Sequence, residues 1–262
     1  MKKYESIKTQ ISEATNGVVK TAVNGLLWWL YLTGASIGKS NTSRGIYNMF
    51  READESLRDL NYEHFQQLVS ELQRQQFIAK RRKRTAIEVS ITKLGRERLK
   101  EFLPTYKTVR PWDGFVYLIS YDIPEVSKKI RDQFRKYLVQ IGCAKLQASV
   151  WITPYTPRDL VNDFAKAHHV EGTILVSKLD KEGLIGDETF SEVIVRIYNL
   201  HKLQERYEEF LYQVKTKKAP FFQKVVLYQS ILGDDPQLPF ELLPSWWNGD
   251  DAYRTYQSLS VK

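Results

Sequence analysis

Apolar positions in the first third of the chain recur at helical spacing and then switch to strict alternation. Residues 21–32 are apolar on nearly every side (Val23, Leu26, Leu27, Trp28, Trp29, Leu30, Tyr31), which predicts a helix buried on several faces. Gly34 and Gly38 end it. Residues 43–57 predict a second helix, with Ile46, Met49, Phe50 and Ala53 on one side. Asn61 has the chemistry of an N-cap. Behind it Phe65, Leu68, Val69 and Leu72 follow i, i+3, i+4, i+7, the inward stripe of a third helix over residues 61–75. Its opposite face carries Glu63, Gln67, Ser70 and Arg74, with Gln66 on the flank and Tyr62 in the first turn. Residues 77–80 and 86–91 then read as two strands; Ile87, Val89 and Ile91 alternate with Glu88 and Ser90. Arg81-Arg82-Lys83-Arg84-Thr85 lies between them as the tip of a hairpin, and Thr92 starts another helix.

Pro104 to Asp113 is linker-like. A continuous apolar strand, residues 115–121, follows and breaks at Asp122-Ile123-Pro124-Glu125. The next helix turns Ile130, Phe134, Tyr137, Leu138 and Ile141 inward and Lys128, Lys129, Arg131, Arg135 and Lys136 outward, and Gly142 terminates it. Residues 145–153 alternate as one strand (Leu146, Ala148, Val150, Ile152). A short helix over 157–167 and a third strand from Gly172 complete the segment. Strand, helix, strand, helix, strand predicts a ferredoxin-like split βαβ sandwich. The last third reads as one long helix over 190–214, a helix over 221–232, a proline-punctuated belt from Pro236 to Pro244, and a final short helix. The predicted fold class is α+β: a winged helix-turn-helix over 1–103, a ferredoxin-like domain over 104–189, and a helical domain over 190–262.

Charge changes this picture at one point. Nine basic residues lie between Lys80 and Lys100, opposed only by Glu88 and Glu97. That surplus of seven accounts for nearly all of the chain's +8. Helix, helix, helix and basic hairpin is the order of a winged helix, whose third helix enters the major groove while the wing reaches phosphates or the minor groove. Glutamine pairs with an adenine edge through two atoms and glutamate accepts from cytosine. The candidate DNA-binding residues are therefore Tyr62, Glu63, Gln66, Gln67, Ser70 and Arg74 on the helix. Lys80, Arg81, Arg82, Lys83 and Arg84 are the candidates on the hairpin. The same polar face also suits a helix that is merely solvated. As a dimer, the protein would place two such helices in successive major grooves of a palindromic duplex.

Other chemistry is thin. Cys143 is the sole cysteine, so an intrachain disulfide and a multi-cysteine zinc site are excluded, as in a protein of a reducing cytoplasm. The N-terminal segment lacks the apolar run of a signal peptide. The longest apolar run, residues 25–32, falls far short of the ~20 needed to span a bilayer. His168 and His169 are adjacent and cannot share a helix face; His64 and His201 stand alone. No nucleophile with a base and no glycine-rich phosphate loop can be read, and neither cofactor nor metal is expected. The reading is of a non-enzymatic DNA-binding protein.

Two resemblances extend it. The segment YDIPEVSKKIRDQFRKYLVQIGCAKLQASVW resembles the opening of the small ferredoxin-fold nucleases of CRISPR spacer acquisition, through Tyr121, Asp122, Arg131, Gly142, Gln147, Ser149 and Val150. Asp122 takes the place of the aspartate assigned to a metal in the nucleolytic members. A metal-dependent nuclease pairing two Asp122 residues across a dimer is the alternative function that this implies. A lone carboxylate is a poor magnesium site, and a strand-ending Asp two residues before proline is equally a cap or turn residue.

The whole chain resembles the PaaX family, repressors named for phenylacetic-acid degradation genes. Trp112-Asp113-Gly114, the YDIP strand end, QASVWITP (147–154) and Tyr198-Asn199-Leu200 with Leu203, Tyr207 and Phe210 carry the likeness. So does DPQLPFELLP with Trp247 and Gly249. The resemblance implies a homodimeric repressor with a non-catalytic middle domain, released from DNA by an acyl-CoA-type thioester. Trp246 and Trp247 could stack an aromatic acyl group or serve packing alone. The chain departs from the family at the wing tip, where a glycine-arginine turn is usual, and at Leu227-Tyr228-Gln229-Ser230.

Overall fold

The computed structural model describes residues 22–33, 47, 62–83, 86–180, 187–217, 219 and 221–259. The helix expected over 43–57, apart from Tyr47, and the Asn61 cap lie outside them, as does Arg84. The chain forms two compact units. One draws on residues 1–106, 206–235 and 248–262, the other on 107–205 and 236–247.

The first unit is built on α1 (Ala22–Thr33), an apolar helix whose Leu26, Leu27, Trp28, Trp29 and Leu30 are all buried. Against it pack α2 (Tyr62–Arg74), through Phe65, Leu68 and Leu72, and α3 (Lys93–Phe102), through Leu99. The hairpin β1 (Ile78–Lys83) and β2 (Ala86–Ile91) contributes Ile78 and Val89 to the same core. Two later helices belong here as well: α8 (Phe221–Asp234), through Val225 and Val226, and α9 (Gly249–Leu259), through Tyr256. Tyr228 and Tyr256 stack at 4.2 Å.

The second unit holds a four-stranded antiparallel sheet of β3 (Val116–Asp122), β4 (Ala144–Gln147), β5 (Val150–Thr153) and β6 (Thr173–Leu179), in the order β4-β5-β3-β6. With α4 (Lys128–Gln140) and α5 (Arg158–Ala167) as its crossovers, this is the strand order of the split βαβ sandwich. Both helices cover one face: Ile119, Tyr121 and Trp151 meet Phe134, Leu138, Val161 and Phe164. On the other face Val116, Ala144 and Ile152 meet Phe190, Ile197 and Tyr198, at and beyond the ends of α6 (Phe190–Ile197). Gly172 sits at φ +106 opposite the end of β3; a Cβ there would stand 2.1 Å from the Asp122 carbonyl oxygen, so the close approach needs glycine.

Two sequence expectations are corrected. The strand expected over 145–153 is a hairpin: Gln147 pairs with Val150, leaving Ala148-Ser149 as the turn. The alternation of Leu146, Ala148, Val150 and Ile152 runs through the reversal and hides it. The long helix expected over 190–214 is two helices, α6 and α7 (Leu200–Thr216). They part at Asn199, whose backbone is left-handed (φ 53), a conformation asparagine tolerates better than most residues.

The belt after Asp235 is held by named bonds. The Lys107 amide donates to Gln237 Oε1 at 2.7 Å and the Tyr155 hydroxyl to the Gln237 carbonyl at 2.9 Å. Buried Arg110 donates to the Leu238 carbonyl at 3.0 Å and lies 4.5 Å over the Phe240 ring. A cation removed from water requires such carbonyl and ring partners. Among the described residues no helix is long and apolar enough to cross a membrane.

Candidate nucleic-acid interface

Amphipathic periodicity aims α2. Burying Phe65, Leu68 and Leu72 leaves Glu63, Gln66, Gln67, Ser70 and Arg74 exposed on the opposite side. Tyr62 differs from these: it is half-buried, with its ring edge-on to Tyr47 at 5.3 Å. The exposed residues, with Glu71, line an open groove of ≈ 540 Å³. Ser70 is turned back on its own helix, donating to the Gln66 carbonyl at 2.8 Å.

Glu71, which the sequence reading passed over, controls Arg74. Arg74 donates through Nε and Nη2 to the two Glu71 oxygens at 2.8 and 2.6 Å, a fork-to-fork pair. Gln75 donates to the same carboxylate. These bonds, Arg74 first, hold the Glu71 carboxyl down at about 2. The i, i+3 spacing of glutamate and arginine was the available signal.

The junction between α2 and the hairpin is fixed by backbone chemistry. Gln76 adopts φ +59 and the Phe77 amide reaches back to the Leu72 carbonyl at 2.9 Å, a Schellman-type stop. Thr92 ties the far end of the hairpin to this point. Its amide donates to the Phe77 carbonyl at 3.0 Å and its hydroxyl to the Gln76 carbonyl at 2.6 Å. The same hydroxyl accepts from the Gly95 amide at 3.0 Å, capping α3.

The register runs from Ile78↔Ile91 to Lys83↔Ala86, which corrects the tip expected over 81–85: Arg81, Arg82 and Lys83 belong to β1, and only residues 84–85 separate the strands. Between α2 and the hairpin is a cleft of ≈ 290 Å³ lined by Leu30, Phe65, Val69, Ile78 and Val89, with Gln66, Ser70 and Lys80. Desolvation pushes the exposed Lys80 ammonium below the usual lysine value.

The other candidates do not gather. Asp122 is exposed at the end of β3, paired through the backbone with Thr173. Among the described residues no group of three or more His, Cys, Asp or Glu could hold a metal ion. His168 stacks on Phe164 at 4.2 Å and His201 on Trp246 at 4.7 Å. Burial pushes the Cys143 thiol up to about 12.

Comparison with known proteins adds three findings. A search of curated proteins gave no match. The uncharacterized protein Rv0674 from Mycobacterium tuberculosis shares the fold, with a TM-score of 0.56 at 15% identity over 89% of this chain and 92% of that one. Residues 109–189 match the PaaX protein central Cas2-like domain and residues 198–262 the PaaX-like protein C-terminal domain. Since these two domains occupy more than half of the chain, in the family's order, the protein belongs to the PaaX family.

Proposed function

We propose that this protein is a non-enzymatic, sequence-specific DNA-binding regulator, a homodimeric repressor on a palindromic duplex that a small effector releases. The observation that carries the reading is the pairing of α2 with the hairpin. An exposed polar helix face is locked through Phe77 and Thr92 to a basic hairpin and its following helix, the stretch from Lys80 to Lys100 that holds nearly all of the chain's net charge. In this reading residues 1–103 form a winged helix. Gln66 and Gln67 read base edges, Glu63, Ser70 and Arg74 flank them, and Tyr62 braces the helix start. Lys80, Arg81, Arg82, Lys83 and Arg84 meet phosphates. Membership of the PaaX family supports a regulator over an enzyme.

Selection of bound sequences from a random duplex library, with Mg²⁺ present, tests it. An intact palindromic consensus is the expected result. Gln67→Ala then relaxes the consensus, while Arg82→Ala weakens all sequences alike and lowers the salt slope by about one. Unselective recovery, or binding that ignores both substitutions, would overturn the reading.

A further inference from the structure

The second unit carries a charged surface that the winged-helix reading does not use. Its residues hold equal numbers of basic and acidic groups overall. Yet α4 alone, Lys128–Gln140, holds five basic residues against one acidic. Its neighbour on the same face of the sheet, α5, is balanced: Arg158 and Lys166 against Asp159 and Asp163. The surplus is therefore a bounded patch and not a general property of the unit.

The five cations divide by what they touch. Arg131 is drawn down to Glu125 at 2.5 Å, and Arg135 bonds the Tyr121 hydroxyl at 3.0 Å with Asp132 at 3.5 Å. Lys128, Lys129 and Lys136 are exposed and make no ion pair among the described residues. Residues 129 and 136 lie two turns apart on one outer face, with exposed Gln133 and Gln140 beside them. The first turn of α4 contains Lys128 and Lys129 and no acidic residue, an arrangement that the helix dipole disfavours. Lys128 favours the nearby Glu125 carboxylate without forming an ion pair with it, and all three exposed ammonium groups stay open to an approaching polyanion.

We propose that this face of α4 is a second backbone-binding surface for duplex DNA, with Lys128, Lys129 and Lys136 as its phosphate contacts. Gln133 and Gln140 supply further hydrogen bonds to phosphate and sugar oxygens. The surface adds affinity without sequence information. The inference rests on the DNA-binding reading above.

The test compares the full-length protein with a Lys128→Gln/Lys129→Gln/Lys136→Gln variant and with Arg82→Ala on mixed-sequence duplex DNA across a salt series. Each lost phosphate contact removes about 0.9 from the slope of log affinity against log salt. The triple variant should lower that slope by about two to three and weaken binding by at least about tenfold, while its melting temperature holds or rises. An unchanged slope and affinity in the triple variant, with Arg82→Ala still defective, would overturn the α4 surface and leave the winged-helix reading standing. Absence of duplex binding by the unmodified protein would overturn both. Loss confined to anionic phospholipid vesicles, with DNA binding intact, would overturn the proposal in favour of a membrane surface.

Discussion

The Tyr207 hydroxyl donates a 2.7 Å hydrogen bond to a carboxylate oxygen of Asp235, and both side chains are buried. Tyr207 lies on α7 and Asp235 directly follows α8, so one bond joins two segments of the same unit that are 28 residues apart. Arg206 reinforces the join from the exposed side, reaching Asp234 at 2.6 Å. Tyr207→Phe keeps the ring and removes the donor. A buried carboxyl deprived of a hydrogen bond costs about 1–3 kcal/mol, to be measured by urea unfolding. An unchanged midpoint would mean that the carboxyl finds full compensation elsewhere.

Gly95 is a steric requirement. A Cβ there would stand 2.2 Å from the Phe77 carbonyl oxygen and 2.8 Å from Ile91 Cγ2. The first is backbone, fixed by its bond from the Thr92 amide, so it cannot swing away. Gly95→Ala, ordinarily favourable in a helix, should here destabilise by about 1–3 kcal/mol through overpacking. Thermal unfolding checks the sign: a rise in melting temperature would show that α3 does not press on the hairpin base as described.

Glu71 restrains Arg74. With its carboxyl at about 2, the pair persists as pH falls through the usual carboxylate range and is lost only as pH approaches the folded value. Carbon-detected NMR titration of Glu71 should therefore show no protonation at pH 4. Glu71→Gln removes an anion from the groove and releases the guanidinium. On the proposed function this strengthens binding to mixed-sequence duplex and steepens its salt dependence by up to about one contact. Weaker binding would show that Glu71 serves to aim Arg74 rather than to hold it back.

Cys143 should be chemically silent. Burial raises its thiol to about 12, against the opposing effect of a hydrogen bond with Thr153. Since the thiolate is the reactive form, iodoacetamide at pH 8 should label the unfolded protein and spare the folded one. Equal rates in the two states would place the thiol at the surface.

Much of the site was legible because its signals are local. The stripe Phe65, Leu68, Val69 and Leu72 fixes which face of α2 is left for solvent, since helical period depends on neighbours within two turns. Thr92 as a cap and the position of the basic run are equally local. The clamp of Glu71 on Arg74 has a local signal too, but which partner a surface arginine takes depends on rotamers that a sequence does not specify.

Local pattern settled where most helices and strands begin and end, and where the charge lies. Only packing decided the rest. The reversal at Ala148-Ser149 requires β4 to find β5, because alternation reads the same through a two-residue turn as along a straight strand. The break at Asn199 shows only as a positive φ, since apolar spacing continues across it from Val193 and Ile197 to Leu200 and Leu203. The company that distant segments keep is not local at all. Val225, Val226 and Tyr256 share a core with Leu27 and Trp28, almost the whole chain length apart, because burial rewards any apolar surface that fits, whatever its separation in sequence.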